Sequence, residues 1–188
     1  MADSQQSKIQ TRKSRSGKYV QHIPDVGIYA NAFQSGAIIL YLIEQYDKDN
    51  KLSYPSTAEK YLAQQWLFFQ VSGQGPYYGQ ATWFARFHPE KLPSATNRYV
   101  DEIIRVTGVL NTALKGREWL VGDKCTYADL SFVTWAKTGE GLLAQLGRSG
   151  ELEKFADYKA WMGRLEEREV VKEALARIAE VRKAHGLP

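Results

Sequence analysis

From residue 57 onward, apolar side chains recur at three- and four-residue intervals. Leu62, Trp66 and Phe69 follow Thr57 at i, i+4 and i+7. Val100, Ile103, Ile104, Leu110 and Leu114, with Thr107 among them, form a second stripe; Phe155, Tyr158, Met162 and Leu165 form a third, and Val171, Leu175 and Ile178 a fourth. A stripe of this period with a polar remainder marks a helix that buries one face, so residues 55–185 are predicted to be all helical. The first two stripes are assigned to core or dimer packing. Residues 139–150 run from one glycine to another and are expected to be a connection. Ahead of the helices, two short apolar runs at 20–23 and 28–33 flank Asp25 and Gly27, the composition of a small hairpin. Residues 1–17 are rich in Ser, Gln and Lys and have too few apolar groups to offset their ordering entropy, so a disordered arm is expected.

Residues 119–135, WLVGDKCTYADLSFVTW, carry the strongest local signal. Thr126 stands three residues before Asp129, the spacing at which a hydroxyl and a carboxylate close a helix N-terminus reciprocally. Leu120 and Val121 lie where they can staple the first turn, and Leu130, Phe132, Val133 and Trp135 leave the helix almost without a polar face. A helix of that kind belongs in a core.

A chain of 188 residues with 44% hydrophobic composition can bury one good core, or one core and an appendage. The longest apolar stretch, residues 37–43, is far short of a membrane span, and no secretory signal is present, so a cytoplasmic location and no membrane partner are expected. A single cysteine, Cys125, excludes an internal disulfide framework, fits a reducing compartment and is expected to be structural. The formal charge of +4 comes from Lys8, Arg12, Lys13, Arg15 and Lys18 against Asp3, with the rest of the chain balanced. Five spaced cations without interleaved aromatics read as a solvated tail rather than a nucleic-acid contact. No Walker, zinc or dinucleotide motif occurs, and His22, His88 and His185 are scattered, so no metal is expected.

The stretch that can carry chemistry is 68–83. Gly73, Gly75, Pro76 and Gly79 interrupt the helical pattern, and Phe69, Tyr77, Tyr78 and Trp83 surround them with polar Gln70, Ser72, Gln74 and Gln80. Glycines allow close backbone approach, aromatics build apolar walls, and amides and hydroxyls orient a ligand. The other reading is that these aromatics fill a kinked-helix junction.

Three segments, 119–135, WLFFQVSGQGPYYGQ at 66–80 and SGAIILYLIEQY at 35–46, resemble the glutathione transferases, in particular the fungal branch related to the yeast nitrogen-regulator prion protein. The first carries the W-L-x-G-D-x-x-[ST]-x-A-D-L pattern complete, and the resemblance extends over residues 33–175. It implies a mainly α fold: a glutathione-transferase C-terminal helical bundle over 55–185, preceded at 19–50 by a β-hairpin and helix as the remnant of a thioredoxin-like domain, after a disordered arm at 1–18. In the family a cis-proline and, about ten residues on, a Glu-Ser pair bind glutathione. Ile23-Pro24 and Gln34-Ser35 stand at a similar spacing, which implies glutathione as cofactor, with Ile23, Gln34 and Ser35 binding it. Gln34 replaces the usual Glu and loses the ionic contact to the α-ammonium; the pair could equally be an ordinary helix cap. The strand, helix and strand that carry the sulfur-activating residue in relatives have no counterpart before Pro24, so that residue is not carried over.

The resemblance further implies that Phe69, Gly73, Tyr77, Tyr78 and Trp83 line the second-substrate pocket, with Ser72, Gln74, Tyr77 and Tyr78 as candidates for contact with the reacting centre. Two functions are compatible with this chain. One is a glutathione-dependent enzyme that conjugates, or isomerises between trans and cis, a bulky unsaturated electrophile of fungal secondary metabolism. The other is a non-catalytic homodimer or partner-binding module.

Overall fold

The helix starts explain the architecture best. The computed structural model describes residues 10–13, 19–22 and 34–186, and the chain divides into two units, Met1–Lys48 and Asp49–Pro188. In the first unit, β1 (Gln10–Lys13) pairs antiparallel with β2 (Tyr19–His22), with Gln10 opposite His22 and Lys13 opposite Tyr19. The strand over 19–22 therefore finds a partner inside the segment expected to be a disordered arm. Thr11, Val20 and Tyr19 suit a strand, and a Ser- and Gly-bearing link of five residues suits a hairpin, signals that a count of apolar residues passes over. Ile23, Pro24 and residues 28–33 lie outside the described residues. Helix α1 (Ser35–Tyr46) completes this unit, entered from an extended Gln34.

The second unit is built of helices and the loops between them, with no strand among its described residues. Helix α2 (Thr57–Phe69) starts at Ser56, whose hydroxyl accepts the Glu59 N–H. It does not end at the glycines. A π-helical turn (Gln70–Gln74), α3 (Gly75–Thr82) and a second π turn (Trp83–Phe87) continue it, and each junction residue is right-handed helical. Pro76 has no N–H, and in an α-helix its ring would press on the carbonyl four residues back. The wider turn, in which the Gly75 N–H reaches the Gln70 carbonyl, accommodates it. The expected interruption is thus a bulge within one rod.

The buried seam of that rod is Ala63, Leu67, Gln70, Gln74, Tyr78 and Ala81. Leu62, assigned to core or dimer packing, is exposed, and Trp66 and Phe69 flank the seam half-buried. Helix α2 carries large apolar groups on every side, so periodicity alone does not select the face. Helix α4 (Pro93–Ala113) buries Val100, Ile103, Val106, Thr107 and Leu110 and leaves Ile104 half-buried, so this stripe is mainly core. Helix α3 packs on α4 on one flank and, on the other, on α6 (Val133–Gln145).

The predicted central helix begins as expected and then breaks. Tyr127–Ser131 forms α5, closed by the Thr126–Asp129 capping box, and Phe132 separates it from α6 by a tight turn in which its N–H reaches the Asp129 carbonyl. Asp129 is fully buried. Its Oδ2 accepts the Thr126 N–H and hydroxyl, both at 2.8 Å; its Oδ1 accepts the Leu120 N–H at 3.0 Å and the Trp161 indole N–H at 2.9 Å. Trp161 belongs to α7 (Ala156–Glu166), whose own first turn is capped from a distance by Asn111 of α4, accepting the Tyr158 N–H at 3.1 Å. Helix α8 (Glu169–Ala184) packs on α7. A second clamp fastens the segment after residue 50. The Tyr54 hydroxyl donates to Asp123 at 2.6 Å and accepts the Asp123 and Lys124 N–H groups, seated against Gly122, where φ is +62° and a Cβ would collide with the phenol.

The expected connection at 139–150 is mostly helix: α6 runs through Gly139 and Gly141 to Gln145, and only residues 146–148 precede the short 3-10 turn Ser149–Leu152. Gly139 is there for proximity, since a Cβ on it would stand 2.8 Å from the Tyr78 ring and 3.3 Å from Ile103. Gly139→Ala, favourable in an exposed helix, should here destabilise the chain by about 1–3 kcal/mol. Asp129→Ala leaves three N–H donors buried without an acceptor and should cost about 3–5 kcal/mol. Urea titration of both variants checks the pair; a neutral Asp129→Ala would remove the carboxylate from its central role.

Candidate functional site

Helical phase sorts the sequence-selected residues. Gln74 is fully buried; its amide donates to the Phe132 carbonyl at 3.3 Å and accepts from Gln70 at 3.3 Å. Tyr78 is buried too, and its hydroxyl donates to the Ile103 carbonyl at 3.2 Å beside Thr107 at 3.4 Å. Burial, opposed by the hydrogen bonds of Thr107 and Gln74, raises its pKa to about 12. Both side chains have polar partners within the core and are corrected from ligand contacts to structural bridges between the rod, α4 and α5–α6. What looked like an amide and a phenol aimed at substrate is a satisfied buried network.

Of the remaining two candidates, Ser72 is exposed and its hydroxyl donates to the Phe68 carbonyl at 2.7 Å, leaving lone pairs outward. Tyr77 is half-buried toward α4, 6.5 Å from the Tyr99 ring, with the Arg105 guanidinium 5.9 Å from its centroid. Phe69 packs edge-on to Trp66 at 5.7 Å and near Phe132 at 6.4 Å, and Gly73 lies over its ring. Phe69 and Tyr77 are therefore held in different neighbourhoods and do not converge on Trp83.

Trp83 faces the other flank. There a cavity of about 550 Å³, open to solvent, lies between the rod, α6 and α8; it is lined by Gly79, Thr82, Trp83 and Phe87, by Thr134, Trp135 and Thr138, and by Arg182. The Trp135 ring lies 3.5 Å from where a Cβ on Gly79 would stand, and its indole nitrogen lies 3.4 Å from the same point on Gly75. Trp83 and Phe87, each 48% exposed, sit with ring centres 6.2 Å apart. The Arg182 guanidinium donates to the Thr138 hydroxyl at 3.4 Å. Apolar walls with few polar groups at the rim are what a small-molecule site requires.

Sequence reasoning found only Trp83 of this set. The i, i+4 pair Thr134 and Thr138 was a readable signal of an open flank on α6, whereas nothing local ties Arg182 to that helix. On the first unit, Gln34 and Ser35 stand exposed at the start of α1, and Gln34 makes no side-chain bond to the helix. Ile23 lies outside the described residues. Among the described residues no group of three or more His, Cys, Asp and Glu could hold a metal, and no helix is long and apolar enough to cross a membrane.

Cys125 is buried before Thr126, its pKa pushed up to about 12 by burial, then by the Asp129 carboxylate. It and Tyr78 are acids with raised folded pKa values, so their contribution to stability is whole below the ordinary values of 9.0 and 10.0 and is lost as pH rises through about 12. Chemical denaturation between pH 8 and roughly 11 should show this loss on the alkaline side. The native thiol should react with an aromatic disulfide at least about a hundredfold more slowly than in urea; equal rates would place Cys125 in an accessible site.

The C-terminal domain of glutathione S-transferase matches residues 76–169. The chain is 44% identical over 155 residues to the glutathione S-transferase-like protein gedE of Aspergillus terreus, spanning 78% of this chain and 68% of that one. Among solved structures it resembles the Phanerochaete chrysosporium glutathione transferase URE2P6 in complex with oxidised glutathione, with a TM-score of 0.77 and 43% identity over 88% of this chain and 75% of that one. It also resembles Ure2p5 of the same fungus cocrystallised with 1-(S-glutathionyl)-2,4-dinitrobenzene, with a TM-score of 0.74 and 45% identity over 79% and 69%.

Proposed function

Because the chain belongs to the glutathione S-transferase family, we propose that it is a glutathione-dependent enzyme of the transferase type. The observation that carries this reading is the start of α1. Gln34 enters the helix extended and, unlike an ordinary cap, without a side-chain bond to its first turn, so its own side chain leaves those N–H groups to another acceptor. A carboxylate suits that place because unpaired N–H groups and the helix dipole both favour negative charge. The γ-glutamyl carboxylate of glutathione is the proposed occupant, with the Ser35 hydroxyl as a further donor and the Gln34 carbonyl oxygen accepting from the α-ammonium. The main chain of Ile23 takes the cysteinyl part. The relatives solved with oxidised glutathione and with a glutathionyl conjugate support the same cofactor.

A free thiol of pKa about 8.5 needs donors to ionise at neutral pH, and of the four candidates Ser72 and Tyr77 keep accessible hydroxyls. The proposed acceptor is a bulky unsaturated electrophile of fungal secondary metabolism. In conjugation the thiolate adds to the activated alkene and a proton is taken up at the adjacent carbon. In isomerisation the same addition leaves a single bond that rotates, and elimination expels the thiolate and restores the alkene in the other geometry, with no net redox change. The setting is the cytoplasm. The burial of Gln74 and Tyr78 within the core leaves fewer donors for a reacting centre and favours the second reading, a non-catalytic partner-binding module.

Calorimetry with glutathione separates the two, since saturable binding is expected of the enzyme and none of the module. Gln34→Glu should tighten binding about five- to tenfold, the difference between a neutral and a charge-assisted hydrogen bond, and Ser35→Ala should weaken it. Unchanged affinity in both variants would move the cofactor elsewhere. With glutathione and conjugated enones, Cys125→Ala should turn over like wild type while Tyr77→Phe and Ser72→Ala are slowed.

The assembly is proposed to be a homodimer built on α2, where Tyr61, Leu62 and Phe68 are 65%, 47% and 54% exposed and form more apolar surface than a lone helix face normally leaves to water. Sedimentation at micromolar concentration should give about twice 21.3 kDa, and Leu62→Lys with Phe68→Lys should return the chain to a monomer.

A further inference from the structure

We propose that the cavity between α3, α6 and α8 binds a planar aromatic or conjugated molecule bearing one anionic group, with its ring on Trp83, Phe87 and Trp135 and its anion on Arg182. As the acceptor site of the reaction above, this inference rests on that reading; as a binding site it rests on the second unit alone.

The walls set the shape. Trp83 and Phe87 present tilted rings about half open to solvent, and Trp135 closes the cavity from α6 against Gly79. Aromatic faces attract flat π systems through offset stacking, and about 550 Å³ holds a molecule of two to three fused rings. The charge sets the class. Among the described residues, Lys137 is paired with Glu140 and Glu166, and Arg148 with Asp101 and Glu151, but Arg182 makes no ion pair and hydrogen bonds only to the neutral Thr138 hydroxyl. A guanidinium beside apolar walls is matched by a carboxylate or an ionised phenol, which it can bind with two parallel hydrogen bonds.

The hydroxyls at the rim sharpen the assignment. Thr82 donates to the Tyr78 carbonyl and Thr138 to the Thr134 carbonyl, both at 2.9 Å. Each hydrogen is used inside its own helix, so both oxygens act as acceptors, and that of Thr138 already receives the Arg182 guanidinium. They cannot solvate an anion, which leaves that task to Arg182, but they can receive phenolic O–H groups elsewhere on the ligand.

The test uses the full chain, titrated at pH 7.5 and low salt with 2-naphthoate and with neutral 2-naphthamide while tryptophan fluorescence is followed. The acid should quench and bind at least about tenfold more tightly than the amide, as expected for a charge-assisted contact. Arg182→Met should abolish that preference, whereas Arg177→Met on the same helix should keep it. Trp83→Ala should weaken both ligands alike. No quenching by either ligand, equal affinities in wild type, or a preference that survives Arg182→Met would each overturn the proposal. Calorimetry with glutathione keeps the two readings apart: naphthoate binding without glutathione binding would sink the enzyme and leave this site standing, and the reverse would sink this site alone.

Discussion

One buried carboxylate ties the helical unit together. Asp129 accepts four hydrogen bonds from three separate pieces of chain: the Thr126 cap, the Leu120 backbone and the Trp161 indole. A carboxylate has about that many acceptor positions, so the group is satisfied where it stands, and each donor would be an orphan without it. Because the indole can reach Oδ1 only when α7 is docked, the same atom that starts α5 also fixes the place of a helix more than thirty residues on. Phe132 and Trp161, edge-to-face at 5.9 Å, then fill the space around it.

The long rod of residues 57–87 is the second constraint. Its π turns let Pro76 and several glycines sit within continuous helix, and by doing so they distribute a dense set of polar and aromatic residues around one axis. The buried phase holds amide and phenol groups that bridge to α4 and to Phe132; the opposite phases hold Ser72 and the Trp83–Phe87 pair. Gly139 on α6 and Gly79 on the rod make these contacts close, so the helix that stabilises the core and the helix that walls the cavity are the same pair. Stability and recognition in this unit are therefore coupled through packing rather than through a shared catalytic group.

Chemically, the chain offers two kinds of recognition on two units. At the start of α1 the Gln34 side chain makes no bond to the first turn, and a helix N-terminus suits a peptide carboxylate. The helical unit presents flat apolar walls with one cation. Neither feature activates a thiol by itself, and the raised pKa of buried Cys125 removes the protein's only thiol from that part.

The family, the mainly helical class and the capped helix at Thr126 were legible in the sequence because each depends on neighbours within a few residues: a stripe of period 3.6, a hydroxyl three positions before a carboxylate, a contiguous motif. Position within the fold was not. Gln74 and Tyr78 carry the same chemistry whether they face a ligand or a carbonyl on another helix, and only the packing of α4 and Phe132 against the rod decided in favour of the carbonyl. Gly139 reads locally as a loop and is in fact a helix contact, since its reason is the Tyr78 ring, sixty-one positions away. Arg182, on α8, lies ninety-nine positions beyond Trp83, and no local rule joins them. Hydrogen bonds within a turn are written in the order of residues, whereas a cavity is made of faces that meet after the chain has closed on its core.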